Sequence, residues 1–243
     1  MRTLPLLADG FVDLVLGSRC VGCERPGRPL CDRCRAALPV EASPRRPTPC
    51  PDGLVPPYAA GTYDGVLRAL VLAHKERRVL ALAAPLGELL AVAVADAAAT
   101  AAGPLVLVPV PSRAATVRQR GHDPTLVMTR AAARVLGPRT VTAPLLRLRP
   151  GVIDQAGLDA AGRAANLAGS MTAPAAAVRR LARRCPRAHV VVCDDVLTTG
   201  ATLREAQRAL EAAGVPVLAA AVVAATRRRS AGGGSGVPAL NFG

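Results

Sequence analysis

The residues with the clearest chemical signature lie in "VVVCDDVLTTGATL", Val190 to Leu203. Asp194 and Asp195 stand together at the end of an apolar run, before a loop of small and hydroxyl residues. Adjacent carboxylates accept hydrogen bonds from vicinal hydroxyls or bind Mg2+. The loop wants the opposite charge. Thr198, Thr199, Gly200, Ala201 and Thr202 leave backbone N–H groups open and add hydroxyl donors. They lead into a helix whose N-terminal dipole favours an anion. Gly200 permits a backbone conformation or a close approach that a side chain would block. A sugar diol close to a phosphate satisfies both halves, and a ribose 5-phosphate is such a ligand. The sequence has neither G-x-x-x-x-G-K nor G-x-G-x-x-G, so it carries no P-loop or dinucleotide fingerprint.

A second constellation is "CVGCERPGRPLCDRC". Cys20, Cys23, Cys31 and Cys34 form two C-x-x-C knuckles seven residues apart. Four thiolates at this spacing can enclose one tetrahedral Zn2+, a closed structural site with no position open for catalysis. His74, His122 and His189 are scattered, and no Ser-His-Asp arrangement can be argued.

Positioning these residues takes a modest set of elements. "PLVLVPVP", "AHVVVC" and "VPVLAAAVVAAT" read as buried strands, and "AAGTY" as a short one. Helices are expected over "DGVLRALVLAH", over Ala81 to Ala99 with Pro85 near the start, and over "TLREAQRALEAAG" with a stop at Gly214. "DPTLVMTRAAARVLG" reads as a helix with Asp123 as N-cap, Pro124 first and Gly137 as its stop. Residues 147 to 170 read as a long polar loop. Alternating strands and helices imply a parallel sheet with right-handed crossovers, whose ligands sit beyond the strands' carboxyl ends. That is where the paired acids fall.

The 243 residues suffice for one α/β domain and a small appendage. We divide them into a finger at 1–40, a Pro-rich linker at 41–57, an α/β domain at 58–226 and a disordered tail at 227–243. Only four residues are aromatic, so Ala, Val and Leu must build the core. The net charge of +14 favours polyanionic partners or else reflects a solvated basic surface, and only Lys75 of the 31 basic residues is lysine. Pro5, Asp9 and Asp13 break up the apolar start, which therefore does not read as a secretory signal. The Ala-rich stretch from Val79 to Ala102 is interrupted by Pro85, Glu88 and Asp96, and reads as a buried helix rather than a membrane span. A cytoplasmic protein with reduced cysteines and no membrane insertion is the expectation.

Paired acids and "TTGAT" after an apolar strand resemble the donor motif of type I phosphoribosyltransferases, which bind 5-phosphoribosyl 1-pyrophosphate (PRPP). The resemblance implies that Asp194 and Asp195 hold the ribose hydroxyls and residues 198–202 hold the 5-phosphate. The chain as a whole resembles the ComF family, phosphoribosyltransferase-like proteins linked to competence and DNA uptake. That resemblance rests on the Cys-rich start, "YDGVLRALVLAHKERR", "VPVPSRAATVRQRGHD", "DQAGLDAAGRAANLAG" and the donor motif, in that order. It implies a type I phosphoribosyltransferase-like fold, parallel strands flanked by helices, behind a small four-cysteine zinc finger. It further implies a pyrophosphate loop at Ser112 and Arg113, next to Pro111. Arg118 and Arg120, close behind, either meet phosphate or line a solvated loop. Gln155, Arg163 and Asn166 match a mobile loop that closes over PRPP in related enzymes. Lys75 is either the cation that meets the developing pyrophosphate charge or a surface lysine.

The sequence departs from the family in three places. "RGHDP" stands where "RGFNQ" is common, Asp154 replaces a lysine before Gln155, and Cys50 has Gly53 where a second cysteine pair would continue. One zinc, not two, is expected. Cys193 is expected in the strand before the acids, and Cys185 has no assigned role. The implied activity is transfer of 5-phosphoribosyl, with Mg2+, to an unidentified acceptor. The alternative is a non-catalytic PRPP sensor, or a protein handling single-stranded DNA with competence proteins. The scarcity of aromatics argues against stacking-based strand binding.

Overall fold

The computed structural model describes residues 19–149 and 169–227. A short helix α1 (Asp32–Ala36) follows the cysteine knuckles, and strand β1 (Ser43–Pro44) leads by way of a proline-rich strap to β2 (Pro57–Thr62). Next come α2 (Gly65–Lys75), a 3-10 turn and α3 (Ala83–Ala97). Strand β3 (Leu105–Pro109) is followed by α4 (Ala114–Arg120), α5 (Pro124–Leu136), β4 (Thr140–Thr142) and β5 (Arg147–Leu148). The chain continues through β6 (Met171–Thr172), α6 (Ala175–Arg184), β7 (His189–Leu197), α7 (Ala201–Glu211) and β8 (Ala219–Ala225).

The main sheet runs β1-β2-β8-β7-β3-β4. All its pairs are parallel except the β1–β2 edge. The architecture is a mixed sheet of mostly parallel strands flanked by helices, with a four-cysteine cluster at its N-terminal end. β7 lies at the centre because it is apolar on both faces. Val191 and Cys193 face Leu70, Leu90 and Leu107, whereas Val190 and Val192 join Val106, Leu203 and Leu210. Successive strand side chains point to opposite faces, so one run of valines serves two cores. The residues of α3 and α5 that meet are small. A Cβ on Gly87 would collide with Ala131 Cβ and the Ala132 backbone, so that crossing requires glycine.

Several features differ from the expected elements, among them α4, which places Arg118 and Arg120 on a helix rather than a loop. β7 continues through both acids to Leu197, because Asp194 and Val196 still pair with Val222 and Ala224 of β8. The stretch 147–170 carries β5, which pairs antiparallel with β6. Helix α6 was not anticipated. Its face is mostly arginine, and only Ala177, Val178 and Leu181 turn toward the core, a stripe too narrow to read as a helix. Gln155, Arg163 and Asn166 lie outside the described residues, as do the N-terminal segment and the tail beyond Arg227.

Leu80–Ala97 is long and apolar enough, by length and composition alone, to cross a membrane, and more than half of it is buried here. Its acids have partners: Glu88 accepts from Arg35 of α1, and Asp96 Oδ2 accepts from the Ala42 backbone N–H at 2.7 Å. These contacts tie the finger to the sheet domain. Cys20, Leu30 and Cys34 share a hydrophobic cluster with Leu67 and Leu70.

Candidate active site and metal centre

The parallel register brings the chemistry to one edge. β3 ends at Pro109 opposite Cys193, and the Val110 N–H donates to the Cys193 carbonyl at 2.9 Å. The next residues of β7 are therefore the acids, and the next residues of the β3 chain are Pro111, Ser112 and Arg113. Between them lies a cavity of about 590 Å3, bounded on the third side by the C-terminal end of α2. Asp194, Asp195, Thr198 and Thr202 line one wall. Ser112, Arg113 and Arg120 line another, and Lys75 closes the third.

Lys75 Nζ donates to Asp195 Oδ2 at 2.7 Å. Burial works against its charge, but Asp195 and then Asp194 outweigh it and hold the ammonium above the usual lysine range. Asp195 Oδ1 also accepts from the Val196 N–H at 2.8 Å, and Asp194 Oδ1 accepts from the Asp195 N–H at 2.9 Å. Asp194 is less well compensated. Burial, and then the charge of Asp195, push its carboxyl up to about 8, against the pull of Lys75. At neutral pH Asp194 thus holds a proton, which a cation bound at the pair would displace. Carboxylates paired in this way fit Mg2+, which takes few protein oxygens and completes its shell with water and phosphate oxygens.

Asp123 organises the opposite wall. It caps α5 through the Leu126 N–H at 3.1 Å, and the same oxygen accepts from Ser112 Oγ at 3.0 Å. Arg120 makes a two-pronged pair with Glu76, at 2.7 and 2.8 Å, joining α4 to the end of α2. Arg118 is exposed and does not line the cavity. Gly200 and Ala201 are buried at the base of the donor loop, and Thr199 faces a neighbouring cavity instead.

Gly200 has φ +76, and an added Cβ would lie 2.9 Å from Leu54 and 3.0 Å from Pro47. The proline-rich strap therefore seats on the donor loop. Its fastening comes from residues that sequence reasoning did not single out. Gln207 Oε1 accepts from the Val55 N–H at 3.0 Å, and its Nε2 donates to the Gly53 carbonyl at 2.9 Å. Glu205, buried on α7, accepts from the Met171 N–H at 2.8 Å and from Arg208. Polar side chains on the inner face of a helix were the available signal, read only as helical spacing.

Residues 126–232 match the phosphoribosyl transferase domain family. The match spans α5 through β8 and contains the paired acids and the donor loop. Lys75, Ser112, Arg113 and the cysteine cluster lie before it. No curated protein matches the chain.

The sulfur atoms of Cys20, Cys23, Cys31 and Cys34 all lie within 4.8 Å of one another. Tetrahedral zinc–sulfur bonds of about 2.3 Å imply sulfurs about 3.8 Å apart, and the Cys23–Cys31 pair sits at 3.6 Å. The cluster thus fits a metal such as zinc. Burial raises the Cys20 thiol, but backbone N–H groups, Cys31 first, outweigh it and lower the thiol to about 6. Burial and then the neighbouring thiols push Cys34 up to about 12. The Cys20 thiolate thus forms readily, whereas Cys34 needs a cation beside it to ionise.

Proposed function

We propose that this chain is a ComF-type phosphoribosyltransferase that binds PRPP with Mg2+ and transfers its 5-phosphoribosyl group to an acceptor, with zinc in the cysteine cluster. The observation that carries the reading is the convergence of Asp194, Asp195, Thr198 and Thr202 with Lys75, Ser112 and Arg113 around one cavity. A diol-binding pair, an anion-binding loop and a second set of phosphate donors match the three parts of PRPP.

In this reading Asp194 and Asp195 accept from the ribose hydroxyls, and the 198–202 loop holds the 5-phosphate. Arg113, Arg120 and the Ser112 hydroxyl face the pyrophosphate. Arginine suits that position because its planar fork pairs with phosphate oxygens. Bound Mg2+ would neutralise pyrophosphate charge, with the acid pair nearest to it. During transfer the bond from C1′ to the pyrophosphate oxygen breaks, and that oxygen keeps the electron pair. An acceptor lone pair forms the new bond to C1′, and the acceptor's proton passes to solvent. Lys75 leaves Asp195 as the diol binds and meets the departing charge.

Calorimetry with PRPP and Mg2+ tests this reading. Micromolar binding is expected in the wild type, and none in Asp194→Asn/Asp195→Asn. A folded, zinc-loaded protein that ignores PRPP overturns it.

A second reading, a protein that handles single-stranded DNA, is favoured by α6. Arg179, Arg180, Arg183 and Arg184 are exposed on it, and none has an acidic partner among the described residues. Such binding would weaken steeply with salt, and Arg180→Glu/Arg184→Glu would flatten that dependence.

A further inference from the structure

The donor loop borders a second cavity, of about 670 Å3, on the far side of β7. Thr198 lines both cavities. This second lobe sits at the carboxyl ends of β2, β7 and β8, whereas the first sits between β7, β3 and α2. Its wall carries Arg45 and Arg46 from the strap, Arg227 beyond β8, and the hydroxyl residues Thr62, Thr199 and Thr226. Among the described residues, no acid and no aromatic ring lines it. Arg227 is paired with Asp64 at 2.7 Å. Arg45 and Arg46 have no acidic partner among the described residues.

We infer that this second lobe is the acceptor subsite and that it takes an anionic acceptor, a small nitrogen nucleophile carrying a carboxylate or phosphate. The inference rests on the transferase reading above and names the substrate class of the same site. The first argument is directional. With the ribose on Asp194 and Asp195, pyrophosphate lies toward Ser112 and Arg113, on the β3 side. A nucleophile attacking opposite the leaving group must enter from the β8 side, where the second lobe opens. The second argument is chemical. Arginines without an acidic partner, set among hydroxyls, favour a carboxylate or phosphate. Without an aromatic platform, the lobe offers an uncharged planar base no stacking partner. The strap that seats on Gly200 thereby gains a second purpose, since it delivers both of these arginines to this wall.

The test keeps donor and acceptor apart. PRPP with Mg2+ is first titrated into the full chain, and benzoate and its neutral counterpart benzamide are then each titrated into the PRPP-saturated protein. The expected result is saturable benzoate binding, at least tenfold weaker in Arg45→Gln/Arg46→Gln, with benzamide not bound and PRPP affinity in that variant within twofold of wild type. Both arginines are exposed, so the folded state survives the change, and Arg227→Gln provides an independent variant with the same expected loss. Benzoate binding only to PRPP-free protein would show that the lobe serves the donor's own 5-phosphate, and would overturn the inference. So would equal binding of benzamide, or benzoate binding unchanged in both variants. Failure of PRPP to bind the wild type would bring down the donor reading instead, and is read in the first titration before any benzoate is added.

Discussion

Asp194 makes a pH-dependent demand on the fold. Its carboxyl titrates at about 8 in the folded chain, against an ordinary value of 3.8. Between those values the native state holds a proton that the unfolded chain has released. Stability therefore falls as pH rises through this window. Thermal melts of the ligand-free protein should drop steadily from about pH 5 to pH 8, by roughly 2–4 °C per kcal/mol of linkage for a chain of this size. Asp194→Asn should flatten the slope, and a slope unchanged in that variant would place the proton elsewhere. Gly200 makes a geometric demand. Gly200→Ala puts a Cβ at positive φ and against Leu54 and Pro47, at a cost of about 1–2 kcal/mol from backbone handedness alone. A lowered urea midpoint together with weakened PRPP binding is the expected pair of effects, because the strained peptide belongs to the loop itself.

Among the elements, α5 and α7 do the positioning. Asp123 caps α5 and at the same time holds Ser112. Asp123→Ala should cost about 1 kcal/mol as a lost cap and also weaken PRPP through Ser112, whereas a pure cap would change stability only. Chemical denaturation and calorimetry on one variant separate the two. On α7, burial disfavours the charge of Glu205, but Arg208 and the Met171 N–H outweigh it and keep the carboxyl below the ordinary range. Glu205→Ala leaves that buried N–H unsatisfied, and roughly 2 kcal/mol of destabilisation is expected, discounted because Arg208 is partly exposed. A denaturation midpoint indistinguishable from wild type would mean that water replaces the carboxylate.

At the scale of the whole molecule, the cysteine cluster is not a detachable appendage. Cys20 and Cys34 are buried in the same cluster as Leu67 and Leu70, and α2 carries Lys75 into the site. Metal removal should therefore reach the donor cavity. We predict one zinc per chain by elemental analysis, and a lower melting temperature and weaker PRPP binding after chelation. Chelation that leaves both unchanged would mean that the finger does not support α2. The sequence alone determined the α/β class, the Thr-Gly turn from β7 into α7, the cap at Asp123 and the cysteine cluster. Each is a local pattern, with the needed residues within about one turn or one strand of each other, so spacing carries the chemistry. Tertiary structure decided everything that joins distant segments. Parallel pairing of β3 with β7 sets Ser112 beside the acids, and α2 lays Lys75 on Asp195 across 120 residues. The proline-rich strap gave no periodic signal, and its place on Gly200 and Gln207 follows from hydrogen bonds to a helix some 150 residues away. Such contacts depend on register and packing between elements, which no short run of residues encodes.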